Sequence, residues 1–110
     1  MESAESITQL RSGLLALTQS LYGVDWRTAW MEVKDYLAPV HALYSEVISW
    51  KEQLQQAGVE VPGEILLAQL HHFIEAWNES DVLQMADVLQ YEVNAGLEYC
   101  EQIVGMMEHK

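Results

Sequence analysis

Between Val82 and Met107 the chain reads VLQMADVLQYEVNAGLEYCEQIVGMM, and this run decides the fold. Its positions Val82, Ala86, Leu89, Val93, Gly96, Cys100, Ile103 and Met107 recur in alternating steps of four and three. Side chains at that spacing form one stripe of an α-helix, the pattern of a helix packed at a shallow angle against neighbours. The neighbours must come from the rest of the chain. Ile7, Leu10, Leu14, Leu17 and Leu21 predict a first helix over about residues 3–21, with Gly23 as a stop just beyond it. Asp25 is placed to cap a second helix, whose stripe is Trp26, Trp30, Val33, Leu37, Val40, Tyr44, Val47 and Leu54. A third runs through Ile65, Leu66, Leu70, Phe73, Ile74 and Trp77 and stops at Asn78 to Ser80, after which Ser80 or Asp81 caps the fourth. The expected fold is all-α, a four-helix bundle.

The second stripe runs straight through Pro39. Proline removes one backbone bond and crowds the carbonyl four residues earlier, so either one long helix kinks there or two helices join near Leu37 and Ala38. The unbroken hydrophobic phase favours the kink.

The chain has 110 residues, of which 50% are hydrophobic, enough for one domain spanning 1–110 with its own core. Only 6 Gly and 2 Pro are present, too few for a sandwich of many short strands and turns. The segment QAGVEVPG, Gln56 to Gly63, is the one linker-like stretch, and neither side of it holds enough core to stand alone.

Charge is uneven. The net charge is −12, with −3 on residues 1–55 and −9 on residues 56–110, where Lys110 is the lone base. Such a surface repels phosphates, which argues against a nucleic-acid groove and against docking on anionic membrane lipid. A basic or polar protein partner fits better, although acidic faces often serve solubility alone. The opening MESAESITQL is acidic where a secretory signal is basic and then apolar, and no segment approaches the ~20 apolar residues that span a bilayer. Cys100 stands alone, so no intrachain disulfide is possible; together these features predict a cytoplasmic protein.

Two apolar sets lie off the main stripes. On helix two, Tyr36, Leu43 and Trp50 recur at intervals of seven; on helix four the set is Met85, Val88, Leu97, Tyr99 and Val104. Wide apolar faces ordinarily contact two neighbours within a bundle. They also serve as a groove or dimer face anchored by Trp, Tyr and Met, and on that reading Tyr36, Leu43, Trp50, Met85 and Val88 are the candidate protein-binding residues.

Chemistry-bearing residues form no constellation. His71 and His72 are adjacent and diverge by about 100° on a helix, so they cannot chelate one metal. His72 and Glu75 share a face, but the Glu-x-x-His order of carboxylate-bridged di-iron bundles is absent. His41, near Pro39, is expected half-buried, and His109 is terminal. Cys100 lies on the apolar stripe, where a thiol is a small hydrophobe with a raised pKa. Glu92, Glu98 and Glu101 are expected to face solvent. No Gly-rich phosphate loop, nucleophile elbow or paired-Cys zinc motif occurs, so no catalytic residue, metal or cofactor is expected.

The run Asp81 to Val93, DVLQMADVLQYEV, resembles a segment of small acidic helical proteins of Firmicutes-type bacteria through Ala86, Asp87, Leu89, Tyr91 and Glu92. The likeness covers about 13 residues and departs at Gln90, where that pattern carries an acid. It implies a bacterial source and no particular activity. Helix number and acidity are also similar to those of small bacterial secretion and flagellar export chaperones, a likeness of fold alone. The expectation is a non-enzymatic, adaptor-like or chaperone-like module that holds an amphipathic or basic segment. The alternative is a structural homodimer without a separate client.

Overall fold

Ser3 opens the first helix. Its hydroxyl accepts from the Ser6 N–H while Ser6 Oγ accepts from the Ser3 N–H, each at 3.1 Å, a reciprocal cap that satisfies two backbone donors otherwise left open. The computed structural model describes residues 3–108, so His109 lies outside the described residues. It contains α1 (Ala4–Leu21), α2 (Trp26–Ser49), α3 (Lys51–Gln56), α4 (Gly63–Asn78), α5 (Val82–Val88) and α6 (Asn94–Glu108). A π-helical turn, Leu89–Val93, joins α5 to α6 in one unbroken helical run. The described residues form no strand, and none of their helices is long and apolar enough to cross a membrane.

The fold is therefore all-α, with five helical runs where four were expected. The difference arises at Trp50, whose backbone (φ −90°, ψ 4°) leaves helical geometry and detaches α3 from α2. The hydrophobic phase carries on to the buried Leu54, which hides this break from a periodicity argument. By contrast α2 passes through Pro39 without interruption, so the two-helix alternative at Leu37 and Ala38 is not what the backbone adopts. Pro39 and Asp35, the residue whose carbonyl the ring crowds, are both exposed.

Helix α1 packs most extensively on α6 and α2; α4 packs on α2, α5 and the π turn, and α3 caps the end of α2. The predicted stripes point inward except at Trp26 of α2 and at Ile65 and Ile74 of α4, which are exposed, the last two because they flank the buried Leu66, Leu70 and Phe73 line. Ile7, Leu14, Leu17 and Leu21 of α1 meet Val33, Val40, Tyr44 and Val47 of α2, Leu66, Leu70 and Phe73 of α4, and Leu89, Val93, Cys100 and Ile103 of the last run. Two helix ends carry a left-handed residue that closes the last turn. Gly58 (φ 83°) ends α3, with Val59 N–H bonded to the Leu54 carbonyl and Gly58 N–H to that of Gln55. Ser80 (φ 54°) does the same for α4, with Asp81 N–H on Ala76 and Ser80 N–H on Trp77. Of the two expected caps for the last run, Asp81 is the one used, accepting from Gln84 N–H at 3.0 Å. Asp25 stands at the N-cap of α2, but its side chain makes no cap bond and its carbonyl accepts from Thr28 and Ala29.

Gly96 is the tightest point of the core. A Cβ there would overlap Tyr44 Oη and Gln69 Oε1, so α2, α4 and α6 meet where this position has no side chain. Tyr44 Oη donates to Gln69 Oε1 at 2.7 Å and lies 3.3 Å from the carbonyl of Val93, at the end of the π turn. Gly13 differs: a Cβ there would meet the Tyr36 hydroxyl at 2.7 Å, the far end of a half-buried side chain that can swing away.

Leu14→Ala, Leu70→Ala and Leu89→Ala should each destabilise by about 2–5 kcal/mol in urea unfolding, the cost of a core cavity. Gly96→Ala should cost about 3 kcal/mol, at the upper end of overpacking. Gly13→Ala should stay within about 1 kcal/mol of neutral, because alanine's helix preference offsets the displacement of Tyr36. Equal effects at the two glycines would contradict the packing described for Tyr44.

Candidate functional site

The left-handed turn at Ser80 and the cap at Asp81 fix where the last helical run begins. From there Leu83, Asp87 and Tyr91 follow at intervals of four, forming an outward line about 12 Å long at 1.5 Å per residue. Leu83 is 66% exposed and Tyr91 70%, so both present apolar surface to solvent. Beside this line runs an open cleft of about 640 Å³, lined by His72 of α4 and by Asp81, Leu83, Gln84, Asp87, Val88, Tyr91 and Glu92. Apolar surface and carboxylates share this lining, and residues 56–108 contain no Lys or Arg to neutralise it.

Three of its groups are held by named partners. Tyr22 Oη donates to Asp87 Oδ1 at 2.6 Å; that bond to a carboxylate, followed by burial and charge, pushes the phenol up to about 12. Asp81 is committed to its cap. His72 Nδ1 lies 2.7 Å from Glu92 Oε1, joining α4 to the π turn. The hydrogen bond to Glu92, then the Glu92 charge, and more weakly Glu75 raise the His72 pKa above its ordinary 6.5, against a small opposing desolvation. His71 and Glu75 approach only to 3.9 Å and are well exposed, a pair of little energetic weight.

The π turn supplies the cleft's inner wall. Single π turns within α-helices recur at functional sites because they re-aim side chains locally. Here Tyr91 is exposed, Glu92 is half-buried and Val93 is buried, its carbonyl beside the Tyr44 hydroxyl. The same end of the molecule is rich in aromatic rings. Trp30 and Trp77 stack with centroids 5.0 Å apart, tying the start of α2 to the end of α4, and Arg27 lies 5.0 Å over the Trp26 ring.

The residues expected to form a binding face fare differently. Leu43 and Met85 are buried in the core, because the flanks that carry them are covered by neighbouring helices. The expectation of a partner-facing role for these two is corrected accordingly. Val88 is also buried, yet it forms part of the cleft floor. Tyr36 is half-buried with its hydroxyl over Gly13 of α1, and Trp50 is half-buried against the core at the α2–α3 break. The five do not form one surface. His41 is exposed rather than half-buried. Of the three acids expected to face solvent, Glu98 is exposed, 3.8 Å from Arg11 of α1, whereas Glu92 and Glu101 are half-buried; Glu101 lies 3.2 Å from Arg11 and accepts from the Thr8 hydroxyl at 2.8 Å. Cys100 is buried, and desolvation pushes its thiol up to about 12.

Leu83, Asp87, Tyr91 and Tyr22 were not singled out as a surface from sequence. The available signal was the four-residue spacing of Leu83, Asp87 and Tyr91 off the main stripe, within the run already quoted. Among the described residues no group of three or more His, Cys, Asp or Glu is arranged to hold a metal ion. The cleft lining includes no Ser, Thr or Cys; it offers three carboxylates, apolar contact, and the Gln84, Tyr91 and His72 side chains as further hydrogen-bonding groups.

The His72–Glu92 bond yields a pH signature. Because the folded pKa of His72 is raised, its contribution to stability is fully present below about pH 6.5 and is lost as pH rises through the raised value. His72→Ala should lower the thermal midpoint at acidic pH and leave it nearly unchanged in mildly alkaline buffer; an equal loss at both would show that the ring acts through packing alone.

No family model, curated protein or solved structure matches the chain.

Proposed function

We propose that this chain is a cytoplasmic, non-enzymatic interaction module that holds a basic, amphipathic segment of another protein in the cleft between α4 and the α5–π run. The observation that carries the reading is the cleft's composition. Leu83 and Tyr91 present exposed apolar surface with Asp81, Asp87 and Glu92 around them and no base on the same elements. An amphipathic segment answers both features, seating its apolar side chains on Leu83, Val88 and Tyr91 while its cations face the carboxylates. The same charge disfavours nucleic acid and anionic lipid. The four longer helical runs would serve as the bundle frame of this module, α2 bending at Pro39 to follow it.

A second reading, self-association into a homodimer, is favoured by one specific feature. Ile65 and Leu67 on the outer side of α4 are 60% and 55% exposed, and Ile74 adds to them. Light scattering separates the two: a concentration-independent mass of one chain supports the cleft reading, and a tight dimer lost in Leu67→Glu supports the homodimer.

The cleft reading predicts that a synthetic helical peptide with leucines on one face and arginines beside them binds by calorimetry, more weakly as salt rises. Tyr91→Ala or Leu83→Ala should weaken binding tenfold or more, about 1.4 kcal/mol, without shifting the thermal midpoint. Binding that is indifferent to both substitutions, or absent, would remove the cleft from consideration.

A further inference from the structure

The cleft acids differ in how they are held. Asp81 is bound to the backbone N–H of Gln84, and Asp87 accepts the Tyr22 hydroxyl. Glu75, on the α4 side, has His71 at 3.9 Å. Glu92 is different: it pairs with His72, whose side chain is about half exposed and so has room to move toward solvent. An imidazole here stands in for a cation, and it is a cation only while protonated.

Resting on the reading of the cleft as a docking groove, we infer that Glu92 is the subsite for a cationic side chain of the bound segment, and that His72 occupies this subsite in the free protein and must leave it on binding. The geometry favours the exchange. A guanidinium offers two parallel donors to a carboxylate, whereas the His72 ring offers one, at 2.7 Å. Tyr91 and Glu92 line the same cleft, so a segment whose apolar side chain rests on Tyr91 has the Glu92 carboxylate within the same groove for a neighbouring cation. The titratable groups around His72 are Glu75 on its own helix, Asp81 at the cap of α5, Asp87 on α5, and Tyr91 and Glu92 on the π turn, while the neighbouring His71 diverges from it along α4. From α2, on the other flank of α4, the titratable group is the Tyr44 hydroxyl, which is buried in the core. Of these, Glu92 and more weakly Glu75 hold the ring protonated to higher pH than in isolation. Protons and the segment therefore compete: acid keeps His72 on Glu92, and loss of the proton frees the carboxylate.

The test uses the Leu/Arg peptide, whose guanidinium charge does not titrate in this range. Affinity for the full chain is expected to rise about tenfold between about pH 5.5 and about pH 8, within the limit of one released proton. His72→Gln should bind with the high-pH affinity throughout, and Glu92→Gln should bind about tenfold more weakly at high pH with no pH dependence. In NMR titration of the wild-type protein, saturating peptide should move the His72 ring resonance to a lower pKa, a shift that a merely structural histidine would not show. Wild-type binding that ignores pH, or a pH dependence that survives in His72→Gln, overturns the exchange while leaving the docking groove intact. Absence of peptide binding at every pH in both wild type and His72→Gln overturns the groove and the exchange together.

Discussion

The hydroxyl of Tyr44 ends where a side chain of residue 96 would begin. That single coincidence sets how closely α2, α4 and α6 approach, since Tyr44 comes from the first of these, Gln69 from the second and Gly96 from the third. A buried phenol without partners would be costly, and the amide of Gln69 and the carbonyl of Val93 supply them. Burial also raises the Tyr44 pKa above its ordinary value, favouring the neutral hydroxyl that donates to Gln69. The Val93 carbonyl lies at the end of the π turn, so one side chain links the interhelical spacing to the irregularity that shapes the cleft wall.

Charge works at a different scale. Arg11 is one of few cations in the chain, and it is placed between Glu98 and Glu101 on the far helix, with Thr8 completing the set. The α1–α6 contact, the most extensive in the molecule, thus has its acids answered by a fixed base. The α4–α5 side has no such base and uses a histidine instead. The cation beside the carboxylates on one side of the last helical run is permanent, and on the other it exists only while His72 is protonated.

Much of the architecture was legible from spacing alone. Leu14, Val33, Leu70 and Leu89, each mid-stripe on a different helix, are all buried, because an amphipathic stripe has one energetically acceptable destination in a small domain. The flanks were less legible. Leu43 and Met85 carry the same residue types that form interfaces, and spacing cannot say whether a neighbour covers a flank until the neighbours are placed. The break at Trp50 was hidden because Leu54 keeps the helical phase, and the π turn because a single wide turn leaves the four-three pattern of the stripe unchanged. The cleft went unseen for a related reason: Leu83 and Tyr91 fall on neither apolar set of the last run, and spacing off a stripe does not show which exposed side chains border a common cleft.

Ser80 carries a cost of its own. An L-residue with a side chain sits at φ 54°, a region where Cβ crowds the backbone by roughly 1–2 kcal/mol. Glycine would relieve that crowding, but it would also widen the range of dihedral angles open to the turn that leads into Asp81 and the cleft. The serine thus trades local stability for narrower sampling, and the mouth of the cleft inherits that stiffness from a residue that does not line it.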